Sequence, residues 1–239
     1  MLAPIVGPIR KRKFLVFDIE SKDGSSRTKA GFTRPFMVGV YDGQSYNEFR
    51  DEEPSKGDWR KRYYWDNGCV DKAMRHILSS KYRGHYIYAH NGGRFDHLFL
   101  LPWLMHNGER LGFSFMVIPV CSSIQLLDVR DSQGHIWRFL DSFRLIPTSL
   151  DKAAKSFNLD GKVQHDLGLH ENDPSWTIYL KQDCVSLYQI LEKFHDYVEN
   201  VLCGEVGITA PSTAVKLFRR KYLKKEVGRA VDTHTFVRE

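Results

Sequence analysis

The segment 14–20 reads FLVFDIE and constrains the fold more than any other stretch of the chain. Four consecutive apolar residues are typical of a β-strand that is covered on both faces. Because side chains alternate between the faces of a strand, Asp18 and Glu20 share a face with Phe14 and Val16. Two carboxylates on one buried face repel each other and lose hydration unless a cation compensates. The alternative is a strand that ends in solvent at Asp18.

Strand and helix patterns alternate along the rest of the chain. Strands are predicted over 14–20, 35–42, 45–49, 85–91, 113–120, 123–129 and 135–146. Helices are predicted over 70–80, 94–107, 149–159, 175–203 and 212–225. Pro102 predicts a kink or break in the second helix, and Ser149 or Thr148 is a candidate cap of the third. Strands that follow one another directly, interspersed with helices, predict an α/β protein with a mixed central sheet flanked by helices.

The basic residues are unevenly distributed. The 35 Lys and Arg residues exceed the 29 Asp and Glu residues, which gives a formal net charge of +6. Basic clusters occupy 10–13, 60–62 and 219–225. Each cluster alone is consistent with a solvated helix face, but the three together favour a polyanionic partner such as nucleic acid.

Cysteine usage and hydropathy bear on the compartment. The four cysteines are scattered, without a CxxC pair, which favours a reducing compartment and argues against a structural zinc site. The sequence has no run of 18 apolar residues and no secretory signal pattern. We therefore expect no membrane partner and a cytoplasmic location, with an organelle as the alternative.

The segment 175–203 carries the strongest functional signal. Its apolar positions recur at helical spacing, as on a core-facing stripe. The stripe consists of Trp176, Tyr179, Leu180, Asp183, Leu187, Ile190, Leu191, Phe194 and Val198. Asp183 lies in its middle, and an unpaired buried carboxylate is strongly destabilising. Asp183 is therefore a metal ligand, a buried ion-pair partner of Arg or Lys, or a hydrogen-bonded cap to a nearby loop.

Asp96 is a further candidate ligand, because it follows a predicted strand and the turn NGG. An acid in the first turn of a helix also complements the helix dipole, so Asp96 alone does not indicate a metal site. Combined with Asp18, Glu20 and Asp183, it gives four carboxylates, the hard oxygen ligands that Mg²⁺ or Mn²⁺ prefers. Two such ions about 4 Å apart catalyse in-line hydrolysis of a phosphodiester. Tyr179 lies one helical turn before Asp183 and can reach the same site.

Three motifs resemble, in order, the exonuclease motifs of the DEDD superfamily: DIE at 18–20, HNGGRFD at 90–96 and YLKQD at 179–183. Tyr four residues before the last Asp resembles the tyrosine subtype. TSLDKAAKSF at 148–157 resembles the Ser/Thr-Leu-x-x-hydrophobic motif of family B DNA polymerases. GKVQHDL at 161–167 resembles the lysine motif of their protein-primed branch, except that Leu167 stands where that branch has Tyr.

The resemblance implies an RNase H-like α/β fold and 3′–5′ exonuclease activity on the 3′ end of single-stranded DNA. It implies two ions, Mg²⁺ or Mn²⁺, held by Asp18, Glu20, Asp96 and Asp183. Tyr179 would orient the attacking water, and Lys162 would contact the scissile phosphate. The residues implied to bind the 3′-terminal nucleotides are Ser21, Asn91, Phe95, Phe99, Ser149 and Leu150.

Residues 1–205 are expected to form the exonuclease domain, and 206–239 a C-terminal helical extension that resembles the start of a polymerase domain. Because the chain carries no polymerase palm motif, we expect no DNA synthesis from it alone. The resemblance implies a polymerase domain in a longer protein and a terminal protein as partners. It also implies a cytoplasmic location in a bacterium or a virus-infected host cell. The alternative functions are a 3′–5′ exoribonuclease of the same superfamily and a non-catalytic single-stranded DNA-binding module.

Overall fold

The computed structural model describes residues 2–23, 33–51, 68–160, 165–166 and 168–228. The chain divides into a larger unit, Arg12–Phe194, and a smaller unit that combines Met1–Lys11 with His195–Glu239. The functional boundary expected at residue 205 stays a prediction.

A seven-stranded sheet forms the centre of the larger unit. Its strands are β1 (Phe14–Asp23), β2 (Thr33–Tyr41), β3 (Tyr46–Arg50), β4 (Tyr86–Ala89), β5 (Phe113–Val120), β6 (Ser123–Asp131) and β7 (Ile136–Asp141). Their order across the sheet is β3-β2-β1-β4-β7-β6-β5. Strands β1, β4 and β7 are parallel, and the remaining neighbours pair antiparallel. The predicted mixed sheet is confirmed.

Helices cover both faces of the sheet. Helices α1 (Cys69–Ile77) and α2 (Asp96–Asn107) lie on the face where Leu15 and Phe17 join the main buried cluster. Helix α4 (Ser175–Asp196) lies on the opposite face, close to Gly39 of β2. A Cβ on Gly39 would lie only 2.9 Å from the Leu180 side chain and 3.0 Å from Cys184 Sγ, so glycine permits this approach. Strand β1 is thus covered on both sides, as its apolar run predicts.

Pro102 does not break α2, contrary to one of the two expectations for this position. The helix continues from Asp96 to Asn107, with Pro102 inside it. Proline removes one backbone donor from a helix interior, which is destabilising. Leu100 and Trp103 are buried on either side of the proline, and burial of large apolar side chains offsets a loss of this size.

Several predicted elements extend beyond their observed ends, among them β7 and α4. Strand β7 ends at Asp141, because this carboxylate accepts a hydrogen bond from Phe143 N at 3.0 Å and caps a 3₁₀ turn, Ser142–Arg144. Helix α4 ends at Asp196 and continues as a π-helical turn, Tyr197–Val201.

The cap of helix α3 (Leu150–Ser156) agrees with one of the two candidates. The side chain of Ser149 accepts a hydrogen bond from the Lys152 backbone N–H. This bond satisfies one of the helix's initial donors, which have no partner within the helix.

The smaller unit contains α5 (Ala210–Lys221), which the N-terminal segment contacts. Thr209 and Ser212 form a reciprocal capping box at its start. Arg219 Nε donates to the Ala3 carbonyl at 2.7 Å, and Leu2 pairs with Val227 in an antiparallel bridge.

None of the helices described here combines the length and the hydropathy needed to cross a bilayer.

Candidate metal centre

Strand β1 carries two acids to the face of the sheet that α4 covers. Asp18 pairs with Gly39 across the β1–β2 ladder, and the Cα–H of Gly39 faces α4. Glu20 follows two residues later on the same face, immediately before a register shift at Ser21. A β-bulge re-aims the residues that follow it, so the regular alternation ends at Glu20. Both carboxylates are half-buried.

Asp183 approaches these two acids from α4. Its side chain is 4% exposed, on the buried stripe that the helical spacing predicts. One carboxylate oxygen from each of Asp18, Glu20 and Asp183 lies within 4.8 Å of the other two. We refer to these residues as the three-acid cluster. Oxygen donors of this kind at this spacing fit a hard divalent cation such as Mg²⁺ or Mn²⁺.

Asp96 lies beside the three-acid cluster. Its carboxylate is 2% exposed and accepts a hydrogen bond from the Ile19 backbone N–H at 3.0 Å, which ties the start of α2 to β1 between Asp18 and Glu20. Burial raises the pKa of Asp96 well above its usual range, and the charges of Asp18 and Glu20 raise it further. A divalent cation beside such a carboxyl favours its ionised form.

The Cys184 thiol lies close enough to the acidic side chains for their charges to affect its pKa. Burial raises the pKa of Cys184 well above its usual value, and the charges of Asp18, Asp183, Asp96 and Glu20 add to the effect. All four predicted ligands therefore act on one buried atom. Cations are the usual means of balancing such a group of buried carboxylates.

Tyr179 lies one turn before Asp183 and is held between aromatic neighbours. Its ring is stacked on the His165 ring, with centroids 4.9 Å apart and an interplanar angle of 22°. Trp176 meets Tyr179 edge-on at 6.0 Å, and its indole N–H donates to the His170 carbonyl at 3.1 Å. These contacts restrict the directions in which the Tyr179 hydroxyl can point. His165 was not predicted from the sequence, because nothing in the local pattern relates it to Tyr179.

A cleft of about 460 Å³ opens beside the three-acid cluster. The predicted site residues in its wall are Asp18, Asn91, Ser149, Leu150 and Asp183. The wall residues that were not predicted as site residues are His90, Arg94, Phe143, Asp151 and Leu187. A volume of this size is within the range of small-ligand sites.

His90 connects two walls of the cleft. Its ring nitrogens lie 3.0 Å from Ser142 Oγ and 2.9 Å from the Thr148 carbonyl. His90 and Arg94 both lie within the HNGGRFD motif, so their position beside Asn91 was the signal that could have identified them.

The turn that follows His90 has a tightly constrained backbone. Asn91 adopts the left-handed conformation, with φ of 59°. A Cβ on Gly93 would overlap the Ile124 carbonyl, and Gly93 N–H points at the Asp141 carboxylate, 3.3 Å away. The close packing of this turn requires glycine at position 93.

Several predicted residues lie outside the cleft wall. Phe95 is partly exposed and meets the buried Phe99 edge-on, with centroids 5.1 Å apart, and neither lines the cleft. Ser21 follows the bulge of β1 and is also not part of the wall. Lys162 and the basic cluster 60–62 lie outside the described residues.

The chain matches the sequence family described as DNA polymerase type B, organellar and viral, over residues 77–173 and 162–238. It is 26% identical over 162 residues to the DNA-directed DNA polymerase of Enterobacteria phage PRD1, a match that covers 67% of this chain and 24% of the phage protein. It is 23% identical over 242 residues to a probable DNA polymerase of Neurospora intermedia, covering 81% of this chain and 24% of the relative. The chain thus spans about a quarter of the length of these relatives.

Solved structures share the fold. Phi29 DNA polymerase in complex with primer-template DNA and incoming nucleotides superposes with a TM-score of 0.65 at 19% identity, over 88% of this chain and 34% of that chain. The family B DNA polymerase of the archaeon Pyrobaculum calidifontis gives a TM-score of 0.51 at 15% identity, over 88% and 27%. The predicted RNase H-like α/β fold is confirmed.

The two family matches together span residues 77–238, which is more than half of the chain. The resemblance to the exonuclease region of protein-primed family B polymerases, drawn from its ordered motifs, is confirmed. This chain belongs to the organellar and viral type B DNA polymerases.

Proposed function

We propose that this chain is a metal-dependent 3′–5′ exonuclease that hydrolyses single-stranded DNA from its 3′ end. The observation that supports this most is the convergence of Asp18, Glu20 and Asp183 to within 4.8 Å, with Asp96 beside them. In this proposal, the four carboxylates hold two ions, Mg²⁺ or Mn²⁺. Such ions supply a water of lowered pKa and stabilise the charge of the leaving oxygen.

The chain's own residues position the substrate and the water. Tyr179 directs the attacking water by hydrogen bonding, with its ring held by the His165 stack. The backbone and side chains around Asn91 and Ser149 receive the terminal nucleotide in the cleft. Lys162 contacts the scissile phosphate, as the resemblance implies.

Further nucleotides have aromatic and apolar contacts available. Phe95, partly exposed beside Phe99, offers a ring on which a base can stack. Leu150 lies in the cleft wall, where it can pack against a sugar. Ser21 lies just beyond the bulge of β1, and its hydroxyl can donate to the phosphate of an adjacent nucleotide.

The choice of substrate draws on the solved relatives. Phi29 DNA polymerase, 19% identical with a TM-score of 0.61, has been solved in complex with single-stranded DNA. We extend that partner to this chain. A polymerase domain in a longer protein and contact with a terminal protein are further proposals, because the chain covers 34% of that polymerase. DNA synthesis by this chain alone is not part of the proposal.

The decisive experiment is incubation of the chain with a 5′-labelled oligodeoxynucleotide and Mn²⁺, followed by product sizing. We expect stepwise shortening from the 3′ end that stops on chelation and resumes with Mg²⁺ or Mn²⁺. The double variant Asp18→Ala, Glu20→Ala should lose hydrolysis and retain DNA binding. Glu192→Gln, on the exposed side of α4, is the matched control and should keep full activity.

Two outcomes would contradict the proposal. Faster trimming of a ribo-oligonucleotide of the same sequence would support an exoribonuclease instead. Binding of the oligodeoxynucleotide with no nucleotide release under any divalent ion would support a non-catalytic single-stranded DNA-binding module.

A further inference from the structure

One face of α5 in the smaller unit exposes large apolar side chains in a row. Val215, Phe218 and Tyr222 follow at spacings of three and four residues, which places them on one side of the helix. Their exposed fractions are 46%, 47% and 68%. The Phe218 and Tyr222 rings are stacked, with centroids 6.2 Å apart and an interplanar angle of 27°.

The other side of α5 already contacts the smaller unit. Thr213 is buried, and its hydroxyl accepts a hydrogen bond from Gly207 N–H at 2.9 Å. Leu217 packs so closely on Gly204 that a Cβ there would lie 2.9 Å from Leu217 Cδ1. Contacts between α5 and the rest of the smaller unit therefore involve Thr213 and Leu217, on the side of the helix away from the stacked rings.

Positive charge surrounds these rings. Residues 206–225 contain six Lys or Arg residues and no Asp or Glu. Three of the six donate to backbone carbonyls: Lys216 to Val206 at 3.0 Å, Arg219 to Ala3 at 2.7 Å and Arg220 to Gly7 at 2.7 Å. The other three, Lys221, Lys224 and Lys225, are exposed near the end of the helix that carries the rings.

Helix stabilisation explains only part of this arrangement. Basic residues in the last turn complement the negative end of the helix dipole. The dipole effect fades within one turn and gives no reason for two exposed stacked rings. Surfaces that combine aromatic rings with a run of positive charge suit single-stranded nucleic acid, whose bases stack on the rings while its phosphates meet the lysines.

We propose that the end of α5 and the residues just after it form a second binding site for single-stranded nucleic acid. This site, the α5 surface, consists of Phe218, Tyr222, Lys221, Lys224 and Lys225. The site does not depend on the three-acid cluster or on a free 3′ end. Its partner is identified by charge complementarity: a flexible polyanion with accessible base faces. A protein segment without acidic residues would gain little from the three exposed lysines beside these rings.

A circular oligonucleotide separates this site from the proposed exonuclease cleft, because a closed circle has no 3′ end to enter the cleft. The full chain is titrated into a fluorescent circular oligothymidylate of about 40 nucleotides in EDTA, with anisotropy as the readout. We expect binding by the native chain. Phe218→Ala with Tyr222→Ala should weaken it by about tenfold or more, given the usual contribution of base stacking.

Two further variants test the chemistry. Phe218→Tyr with Tyr222→Phe keeps both rings and should bind like the native chain. Replacing Lys221, Lys224 and Lys225 with Gln should lower the slope of log affinity against log salt by about 2, the value for three phosphate contacts to a single strand. Phe115→Ala removes another exposed ring, 39% exposed on β5, and should leave affinity unchanged.

The outcomes distinguish this proposal from the exonuclease proposal. Affinity for the circle that stays within about twofold after loss of both rings would overturn the α5 site, even if nucleotide release from linear DNA is normal. Equal loss with Phe115→Ala would overturn it too. If the native chain binds the circle but releases no nucleotides from linear DNA, the result would instead count against the metal centre. Unchanged unfolding midpoints for all variants show that the chain remains folded.

Discussion

Replacement of Asp183 with Asn should stabilise the metal-free protein, although it removes a buried charged group. Asn has nearly the same shape and keeps one oxygen acceptor. The change removes the repulsion that Asp18 and Glu20 exert on Asp183 within the three-acid cluster. A residue that lowers stability in the absence of a ligand is expected where side chains are arranged for binding.

The separation of the carboxylates sets the magnitude. Their oxygens lie within 4.8 Å of one another. Two unit charges at that distance repel by about 0.9 kcal/mol at the dielectric constant of water, and by about 3.5 kcal/mol at an effective value near 20. Asp183→Asn removes two such pairs, so the bounds are about 2 and 7 kcal/mol. Proton uptake and side-chain relaxation reduce the upper bound, and we expect a gain of about 2 kcal/mol.

The assay is urea unfolding of both proteins at neutral pH in EDTA, followed by the same measurement in Mn²⁺. In EDTA the variant should have the higher free energy of unfolding. In Mn²⁺ the native protein should gain stability by ligand linkage and the variant should gain much less. The difference in free energy of unfolding between the two proteins should therefore shrink or change sign when the metal is added.

Asp128→Asn is the matched control, and it should change the free energy of unfolding in the opposite direction. Asp128 is fully buried, and Arg138 donates to both of its oxygens at 2.7 Å. Loss of this carboxylate charge leaves a positive charge without its partner and should destabilise by about 2–3 kcal/mol, whether or not metal is present. If Asp183→Asn destabilises in EDTA as Asp128→Asn does, then Asp183 is a structural ion-pair or hydrogen-bond partner and the metal reasoning is refuted.

Three further predictions concern other parts of the chain. Tyr179→Phe should lower turnover by about 100-fold without changing Mn²⁺ affinity, and an unchanged turnover would exclude a role for the hydroxyl. Gly93→Ala should destabilise by about 1–3 kcal/mol in urea, because the new methyl overlaps the Ile124 carbonyl, and a neutral effect would contradict that packing. Burial lowers the pKa of His195 to about 4, so the unfolded chain binds the proton first and stability falls as pH drops from about 6.5 to 4, by up to about 3 kcal/mol. His195→Gln should remove this loss, while the raised pKa of Glu199 contributes with the opposite sign in both proteins.

The sequence predicted the parts of the site that depend on periodicity. Alternation along β1 placed Asp18 and Glu20 on one face, and helical spacing placed Asp183 on the buried side of α4. Both patterns are local, and each is enforced by burial of the neighbouring apolar residues. The prediction that β1 and α4 bring these acids together rested on charge balance, because a shared cation offsets the cost of burying several carboxylates.

The walls of the cleft were harder to predict, because they depend on strand order. His90 follows β4 and Phe143 follows β7, and the two are neighbours only because β4 and β7 are adjacent and parallel. The stack of His165 on Tyr179 joins α4 to the loop that precedes it, a contact that no periodicity in the sequence predicts. Pro102 shows the converse case, in which tertiary burial overrides a local signal.

The most direct test of the central claim is anomalous diffraction from crystals of the chain soaked in Mn²⁺. The account predicts anomalous peaks bounded by the carboxylates of Asp18, Glu20 and Asp183, with Asp96 completing the coordination. The account would be contradicted by a complete anomalous data set with no anomalous peak among these side chains. It would also be contradicted by a basic side chain that neutralises them instead.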